Sequence, residues 1–207
     1  MIKIGRRGSL SGTIEIFGSQ GHVAYPHLSV NPINTLTSIC KKLKEKRLDK
    51  GNKNFQPSNL EFTSFNVENK AHNVIPAKAR AQFNIRYNNL HTSNSLKKKV
   101  SQIVKNLSKK NRCKFKINYM VNGDAFLTKP EKTVFLAKKI IKKITKINPK
   151  FSTTGGTSDA RFIKKIAPCL EFGLVNKTMH RVDECVSLTD LRKLTKIYNN
   201  ILVEYFK

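Results

Sequence analysis

An α+β fold is predicted by three patterns in this sequence of 207 residues. Short segments alternate apolar and polar residues as strands do, and longer segments space apolar residues three or four apart as helices do. The order of these segments changes once along the chain. Residues 8–119 follow the order β-α-β-β-α-β, which predicts a ferredoxin-like sandwich of two helices on an antiparallel sheet. Residues 120–207 carry mostly helical patterns and predict part of a larger α/β domain.

Four segments of the first block predict its strands, at residues 11–17, 60–67, 77–87 and 113–119. The clearest is 77–87, where Phe83 and Ile85 fall on one side and Arg80 and Arg86 on the other. Such alternation places one face of a sheet on a core and the other face toward water. The segment therefore predicts a strand with a buried face and a polar face.

Helix starts are marked by capping residues. Asn31 followed by Pro32 predicts the first helix, and either Ser93 or Ser95 begins the second. In the second block, Thr128 and Glu131 form the pattern of a capping box.

The rest of the second block is predicted from local composition. A short helix is expected from Asp159, a short apolar strand at 169–172, and a final helix capped by Ser187 and Asp190.

The formal net charge of +27 makes the protein strongly basic. Two interpretations stay open: a solvated lysine surface, or a surface that binds nucleic acid. The lysines are spread through every segment and no pattern of arginine and aromatic residues accompanies them, which favours the solvated surface. Lysines clustered on one face of the fold would favour nucleic acid.

Location and redox state are predicted from what the sequence lacks. No apolar run approaches the roughly 18 residues of a membrane helix, and residues 1–10 lack the apolar stretch of a signal peptide. A cytoplasmic protein is therefore expected. No two of the four cysteines form a C-x-x-C pair, so free thiols are expected.

Two stretches contain residues suited to binding anions. Residues 5–9, Gly-Arg-Arg-Gly-Ser, could clamp a carboxylate or form a basic surface turn. Residues 152–161, Ser-Thr-Thr-Gly-Gly-Thr-Ser-Asp-Ala-Arg, open a predicted helix whose backbone N–H groups could hold an anion. The Gly-Lys-Ser/Thr of a P-loop is missing, which argues against a nucleotide site.

Two further stretches present a histidine. His22, in the Gly-His-Val-Ala-Tyr-Pro-His of residues 21–27, could donate a hydrogen bond to an oxyanion or be an ordinary loop histidine. His180, near Asp183 and Glu184, could bind zinc, although no His/Asp/Glu cluster supplies the further ligands that zinc requires.

Taken together and in this order, these stretches resemble the M20 family of metallopeptidase-like amidohydrolases. The matching phrases lie at residues 4–12, 21–28, 73–76, 83–87, 152–159 and 180–185. The resemblance implies a catalytic domain with two zinc (or cobalt) ions and an inserted ferredoxin-like lid that forms a homodimer. It assigns residues 1–7 to a hinge, 8–119 to the lid and 120–207 to the C-terminal part of the catalytic domain.

Site residues follow from the same resemblance. His180 matches the family's C-terminal zinc ligand, and His22 matches the lid histidine that stabilises the oxyanion in the partner's active site. Asn73 and Arg86 match lid residues near substrate carboxylates. The remaining substrate-pocket positions are matched by Arg6, Ser9, Tyr25, Gly156, Thr157 and Asn176.

Within the family, the phrases are most similar to those of members that hydrolyse N-succinyl-LL-2,6-diaminopimelate to succinate and LL-2,6-diaminopimelate in lysine biosynthesis. This substrate is a tricarboxylate, so arginines and backbone N–H donors are the groups its site needs. The alternatives are another M20 deacylase, of the acetylornithine deacetylase type, and a dimerisation remnant without catalysis.

The sequence departs from the family in what it lacks. The family's His-x-Asp motif, bridging Asp, Glu-Glu pair and further acidic ligand lie before the phrase that begins here at Gly5. The chain is therefore expected to be a C-terminal part, inactive alone unless a separate N-terminal half completes it. A smaller departure is His72, where the family commonly has Asn.

Overall fold

The computed structural model describes residues 1–175 and 177–207, and the chain folds into two compact units. The first unit is Arg7–Phe126, and the second consists of Met1–Arg6 together with Leu127–Lys207. The expected hinge at residues 1–7 therefore contributes all but its last residue to the second unit. There, Ile2 and Ile4 are buried in the hydrophobic core.

Most of the predicted strands and helices are present, with additional short strands. None of the helices in the described residues combines the length and apolarity needed to cross a bilayer. In chain order the elements are β1 Ile2–Lys3, β2 Gly5–Arg6, β3 Gly8–Phe17, β4 Gly21–His22, a 3-10 turn Pro26–Leu28, α1 Pro32–Glu45, β5 Asn59–Asn66, β6 Val74–Ile75, β7 Lys78–Tyr87, α2 Ser93–Lys110, β8 Lys114–Gly123, β9 Phe126–Leu127, α3 Lys132–Thr145, β10 Phe151–Ser152, α4 Ala160–Ile163 and α5 Leu188–Tyr205.

The first unit is built on a four-stranded antiparallel sheet with the order β5-β7-β3-β8. Strands β3 and β7 pair without interruption from Gly8 opposite Tyr87 to Phe17 opposite Lys78. This strand order, with α1 and α2 in the crossovers, is that of the ferredoxin-like fold. The predicted β-α-β-β-α-β arrangement is therefore confirmed, although β3 begins three residues earlier and β8 ends four residues later than expected.

Side chains from one face of this sheet pack against α1 and α2. Gly12 leaves room for the ring of Phe83, because a Cβ at that position would overlap the ring. Burying this apolar face holds both helices on the sheet. The core residues include Leu10, Ile14, Ile16, Leu36, Ile39, Phe83, Ile85, Leu96, Val100 and Val104.

Both helices of the first unit begin at side-chain caps. Asn31 Oδ1 accepts from Ile33 N at 2.9 Å, with Pro32 as the first helical residue, as predicted. Helix α2 is capped by Thr92 rather than by either predicted serine. Thr92 and Ser95 exchange two 3.1 Å bonds, so Ser95 is the third helical residue of a capping box.

The second unit combines three helices with short strands. Strand β1 pairs with β10 in parallel, and α3 packs against α5 over a core that includes Ile2, Ile141 and Ile197. Ser187 caps α5, since its Oγ accepts from Asp190 N at 3.4 Å.

Two local predictions for this unit were wrong. Helix α3 has Glu131 as its N-cap with no side-chain cap bond, because the Thr128 hydroxyl instead donates to Cys169 O at 2.6 Å. The apolar strand expected at 169–172 is reduced to one antiparallel bridge between Glu171 and Lys3. In both places a contact distant in sequence replaces the local pattern.

A buried polar network anchors the loop between α1 and β5. Asp49 Oδ1 accepts from Gly51 N at 2.6 Å and from Asn88 Nδ2 at 2.7 Å, and both its oxygens accept from Ser58 N. His91 Nε2 lies 3.1 Å from Asp49 Oδ2, with both side chains only 7% exposed. Burial alone raises the pKa of Asp49, but the hydrogen bonds from Ser58, Gly51 and Asn88 outweigh it and lower the pKa to about 2.

Replacing Asp49 with Ala should lower the free energy of unfolding at pH 7 by about 2 kcal/mol, because four donors lose their acceptor. The pKa of Asp49 in the folded protein lies below its ordinary 3.8. The stabilisation is therefore present above about pH 4 and lost as the pH falls through about 2. Urea unfolding at several pH values measures this difference.

The matched control is Glu68→Ala, which removes an exposed carboxylate from the same unit. It should change the free energy of unfolding little at any pH. Equal effects of the two substitutions would contradict a stabilising role for the Asp49 network.

Candidate substrate-binding and metal-binding residues

Arg6 is fixed against the Gly/Thr-rich loop of the second unit. Its Nε donates to Glu171 Oε2 at 2.6 Å and its Nη1 donates to Thr154 O at 3.1 Å. The Arg6 side chain is 17% exposed, so this ion pair is partly shielded from water. Gly155 has φ +107° and lies against the guanidinium, so a Cβ there would overlap Arg6 Nη1. Arg6 therefore holds the loop in place.

Lys3 supports the same loop from β1. Its Nζ donates to Thr154 Oγ1 at 2.7 Å and to Ser152 Oγ at 3.1 Å. Burial and the neighbouring charge of Arg6 lower the pKa of Lys3, while Glu171 acts in the opposite direction. Sequence reasoning missed Lys3, and only its position next to the Gly-Arg-Arg phrase could have suggested it.

Gly156 is exposed and Thr157 is partly exposed in this loop. The space in front of Gly156 is open, since a Cβ there would meet no atom of the described residues within 4 Å. Thr157 lines a cavity of about 610 Å³ together with Ser158, Arg161 and Glu171. Helix α4, expected to point its N–H groups at an anion, has only four residues. The accessible loop is therefore a better candidate than the helix end.

Two buried polar atoms in the wall of this cavity have no hydrogen-bond partner among the described residues. They are the hydroxyl of Ser158 and the Nε of Arg161. Buried polar groups are nearly always paired in folded proteins. These two atoms are therefore unsatisfied polar groups of the second unit.

His180 lies in an exposed loop with left-handed backbone at φ 62°. Its backbone N–H donates to Glu184 Oε2 at 3.2 Å. The hydroxyl of Thr178 closes the loop, because it accepts from Cys185 N and donates to Cys185 O. Non-glycine residues rarely adopt this backbone conformation, and it clusters at functional positions. Asn176, the other predicted site residue of this region, lies outside the described residues.

Residues 1–175 and 177–207 contain no group of three or more His, Cys, Asp or Glu side chains that could hold a metal ion. His180 can thus offer one imidazole, and this chain alone does not fit a complete two-metal centre.

His22 lies in the first unit, where β4 pairs with β6 and places His22 opposite Val74. Its Nδ1 accepts from Ala24 N at 3.1 Å. In the neutral imidazole the proton is then on Nε2, which faces away as a donor. The exposed side chain can therefore offer one N–H to a ligand.

Tyr25 and Asn73 lie beside His22. The ring centroids of Tyr25 and His22 are 5.9 Å apart, and Asn73 O accepts from Val23 N at 3.1 Å. All three predicted residues are exposed. The structure thus brings His22, Tyr25 and Asn73 together on one surface of the first unit.

Ser9 and Arg86 lie opposite each other on β3 and β7. Ser9 is fully buried, and its Oγ accepts from Asn84 Nδ2 at 3.1 Å and from Asn122 Nδ2 at 3.4 Å. Its hydroxyl therefore orders two amides rather than facing solvent. Arg86 is half-buried beside them. Asn84 stood on the predicted polar face of β7, but sequence reasoning gave it no role.

Comparison with protein families gives one match. The peptidase dimerisation domain of the M20 family matches residues 4–112, just over half of the chain.

Curated relatives match nearly the whole chain. It is 62% identical over 206 residues to the succinyl-diaminopimelate desuccinylase of Pelagibacter ubique (strain HTCC1062), covering 100% of this chain and 54% of that protein. The enzyme of the same name from Bradyrhizobium sp. (strain ORS 278) is 51% identical over 208 residues, covering 99% and 53%. The chain thus spans about half the length of these relatives.

Solved structures share the fold. Aminopeptidase PepT from Bacillus cereus superposes with a TM-score of 0.85 at 18% identity, over 100% of this chain and 54% of that one. The M20 family metallo-carboxypeptidase from Sulfolobus solfataricus gives 0.74 at 16% identity, over 98% and 59%. The predicted fold class and resemblance are confirmed, and the chain belongs to the M20 peptidase family through its dimerisation domain.

Proposed function

We propose that this chain is the C-terminal part of a succinyl-diaminopimelate desuccinylase, hydrolysing N-succinyl-LL-2,6-diaminopimelate to succinate and LL-2,6-diaminopimelate. The observation that carries the proposal is 62% identity across the whole chain to a relative of that name. An acetylornithine deacetylase-like activity and a dimerisation remnant are the alternatives. The accessible polar residues of both units would then bind the substrate or its transition state.

Each unit offers groups suited to substrate carboxylates: the second unit offers the loop that Arg6 fixes, and the first unit offers the polar face of its sheet. Arg6 uses its Nε and Nη1 on Glu171 and Thr154, so it acts mainly by presenting Gly156 and Thr157. In the lid, Arg86 supplies charge, Ser9 orders the neighbouring amides, and Asn73 supplies an exposed amide. Asn176 is proposed as a substrate-binding residue on the resemblance alone.

His22 would stabilise the oxyanion of the tetrahedral intermediate in the partner protomer. Its Nδ1 is occupied by Ala24 N, so the neutral ring directs Nε2–H outward as a single donor. A fixed donor aimed at a developing negative charge needs no reorganisation during the reaction. Tyr25 next to the ring would hold it in the productive orientation.

A metal centre of two zinc or cobalt ions would be completed by residues that these 207 do not include. When bound, such ions lower the pKa of water and polarise the scissile carbonyl. His180 would supply one ligand, while the other ligands and the general base would come from the N-terminal half. The 207-residue chain should therefore be inactive alone.

The surface of the second unit supports such a covering partner. Strands β1 and β10 have two residues each, and so short a pair is not stable as an isolated sheet. Large apolar side chains of this unit remain exposed, including Ile166 at 88% and Phe206 at 80%. The unpaired Ser158 and Arg161 atoms lie in the same unit. An N-terminal half would cover apolar and polar groups together.

The homodimer would form along β5 and α1 of the first unit. Strands β5 and β8 are the two edges of the sheet. Residues 93–116, which include α2 and the start of β8, carry nine Lys or Arg and no acid, so two copies of this edge would repel each other. Residues 31–40 are uncharged, and residues 54–67 hold one acid and no base. Strand β5 and the first half of α1 thus carry no like charges that would repel, while Lys41, Lys42 and Lys44 follow in the last turns of α1.

Nucleic-acid binding is the second candidate, favoured by the nine cations of residues 93–116 alone. This function requires that the protein bind to a DNA column and that the binding fall steeply as salt rises. A variant with Lys97, Lys98 and Lys99 changed to Gln should then bind the column less. Equal binding of the two proteins would eliminate this candidate.

Mixing this chain with the N-terminal half of the Pelagibacter ubique relative and Zn²⁺ should restore succinate release, while either part alone should give none. His22→Ala should lower kcat about 10²–10³-fold, as loss of an oxyanion donor does. The control is His27→Ala, an exposed histidine of the same loop, which should retain full activity. No succinate release under conditions where the intact relative is active would contradict the proposal.

Two inactive variants should complement each other if His22 acts across the dimer. Chains carrying His22→Ala and chains carrying His180→Ala, each with the N-terminal half, should recover about a quarter of full activity when mixed, since half the dimers then hold one complete site. Mixed samples that stay as inactive as the separate ones would show that His22 acts within its own protomer.

Phe65→Lys should convert the dimer to monomer. The residue lies on β5 opposite Ala81, which places it on the helix side of the sheet edge, and it is 49% exposed. We expect the dimer dissociation constant to rise about tenfold or more, because the lysine of one protomer would repel the same lysine of the other. Sedimentation velocity measures the shift. Met120→Lys, at an exposed position of the opposite edge, is the control, and a larger effect there would assign the interface to β8.

A further inference from the structure

Arg7 is a half-buried cation held only by neutral groups. Its Nη1 donates to Asn59 Oδ1 at 2.9 Å and more weakly to Pro57 O at 3.4 Å. The amide oxygen of Gln56 accepts from Nη2 at 2.9 Å and from Nη1 at 3.0 Å. Within the part of the chain that the structure describes, Arg7 forms no ion pair. A partly buried charge without a counter-ion is costly, so an anion would stabilise it.

The hydrogen bonds of Arg7 leave one edge of its guanidinium available. Gln56 takes the edge formed by the two Nη atoms, and Asn59 with Pro57 takes the remaining side of Nη1. The edge formed by Nε–H and the second Nη2–H has no partner among the described residues. Two parallel N–H donors on one edge match the two oxygens of a carboxylate.

Arg86 lies on the same face of the sheet. It is paired in register with Ser9 on β3 and with Asn59 on β5. Arg7 precedes Ser9 by two residues and so shares its face, while its own hydrogen bond reaches Asn59. Burial and, second to it, the charge of Arg86 lower the pKa of Arg7. The two guanidinium groups thus repel each other at one end of the polar face.

The acceptors that hold Arg7 are themselves fixed. Asn88 Nδ2 donates to Gln56 O at 3.3 Å and to Asp49, and Ser58 N donates to both oxygens of Asp49. Arg7 therefore rests on a segment that the buried Asp49 network immobilises. A rigid support of this kind keeps a binding group in its productive orientation.

We propose that Arg7 and Arg86 together bind one carboxylate group of an aliphatic dicarboxylate, with Arg7 offering its Nε and Nη2 edge. The inference rests on the proposed function for Arg86 and adds Arg7, which belongs to the Gly-Arg-Arg-Gly-Ser motif but is not among the site residues that the resemblance matched. A carboxylate placed there replaces repulsion between two cations by attraction to both. The site requires neither a metal ion nor a second polypeptide.

Succinate titrated into the 207-residue chain tests this directly. Arginine Nε–H signals in ¹⁵N NMR spectra should shift saturably for Arg7 and Arg86 and remain constant for Arg80. Arg7→Lys keeps the charge but lacks the planar edge, so it should weaken succinate binding about tenfold or more, as should Arg86→Gln. Arg80→Gln, on the same strand and face as Arg86, removes an equal charge and should change affinity less than about twofold.

Succinate affinity in Arg7→Lys equal to that in Arg80→Gln would assign Arg7 a purely structural role and overturn the proposal. If Arg7→Lys does not fold, the Arg7 Nε–H signal of the unsubstituted chain provides the test. An Arg7 signal that does not shift at saturating succinate would also overturn the proposal. If complementation with the N-terminal half fails, succinate should still shift the Arg7 and Arg86 signals. The two proposals therefore fail separately.

Discussion

The uninterrupted pairing of β3 with β7 determines both the core and the polar face of the first unit. Leu10 and Ile85 face the helices because they are opposite each other in this register, and for the same reason Ser9 and Arg86 face away from them. A slip of one residue would turn every side chain to the wrong face. The hydrophobic effect that fixes the register therefore also places the groups that would bind carboxylates.

In the second unit, the position of the Gly/Thr-rich loop depends on an electrostatic arrangement. Arg6 lies close enough to Lys3 to lower its pKa, while Glu171 acts in the opposite direction, pairs with Arg6 and bridges to Lys3 through the backbone. Both cations donate to the segment around Thr154, so the loop position is coupled to this three-charge cluster. Binding an anion at Gly156 or Thr157 would thus act on a loop that is already held.

Sequence reasoning recovered what local periodicity and capping encode, and it failed where a distant contact decides. The alternation at 77–87 was enough to predict β7, and Asn31 with Pro32 was enough to predict the start of α1. Strands β1 and β10 have two residues each and are too short to show an alternating pattern. The Thr128 hydroxyl donates to the carbonyl of Cys169, forty-one residues away. The individual site residues came from the resemblance, and the motif containing Arg7 stayed open between a carboxylate clamp and a surface turn because the acceptors of Arg7 lie in a loop without a pattern.

The two units differ in how completely they satisfy their own groups, and this difference bears on function. In the first unit, the charged Asp49 receives several donors, and among the described residues Ser108 Oγ is the buried side-chain atom left without a partner. In the second unit, the buried Ser158 and Arg161 atoms lack partners among the described residues, and Ile166 remains exposed. Since unpaired buried polar atoms are costly, a surface that covers this unit would gain from polar and apolar contacts together. A partner that covers these groups would therefore stabilise the second unit more than the first.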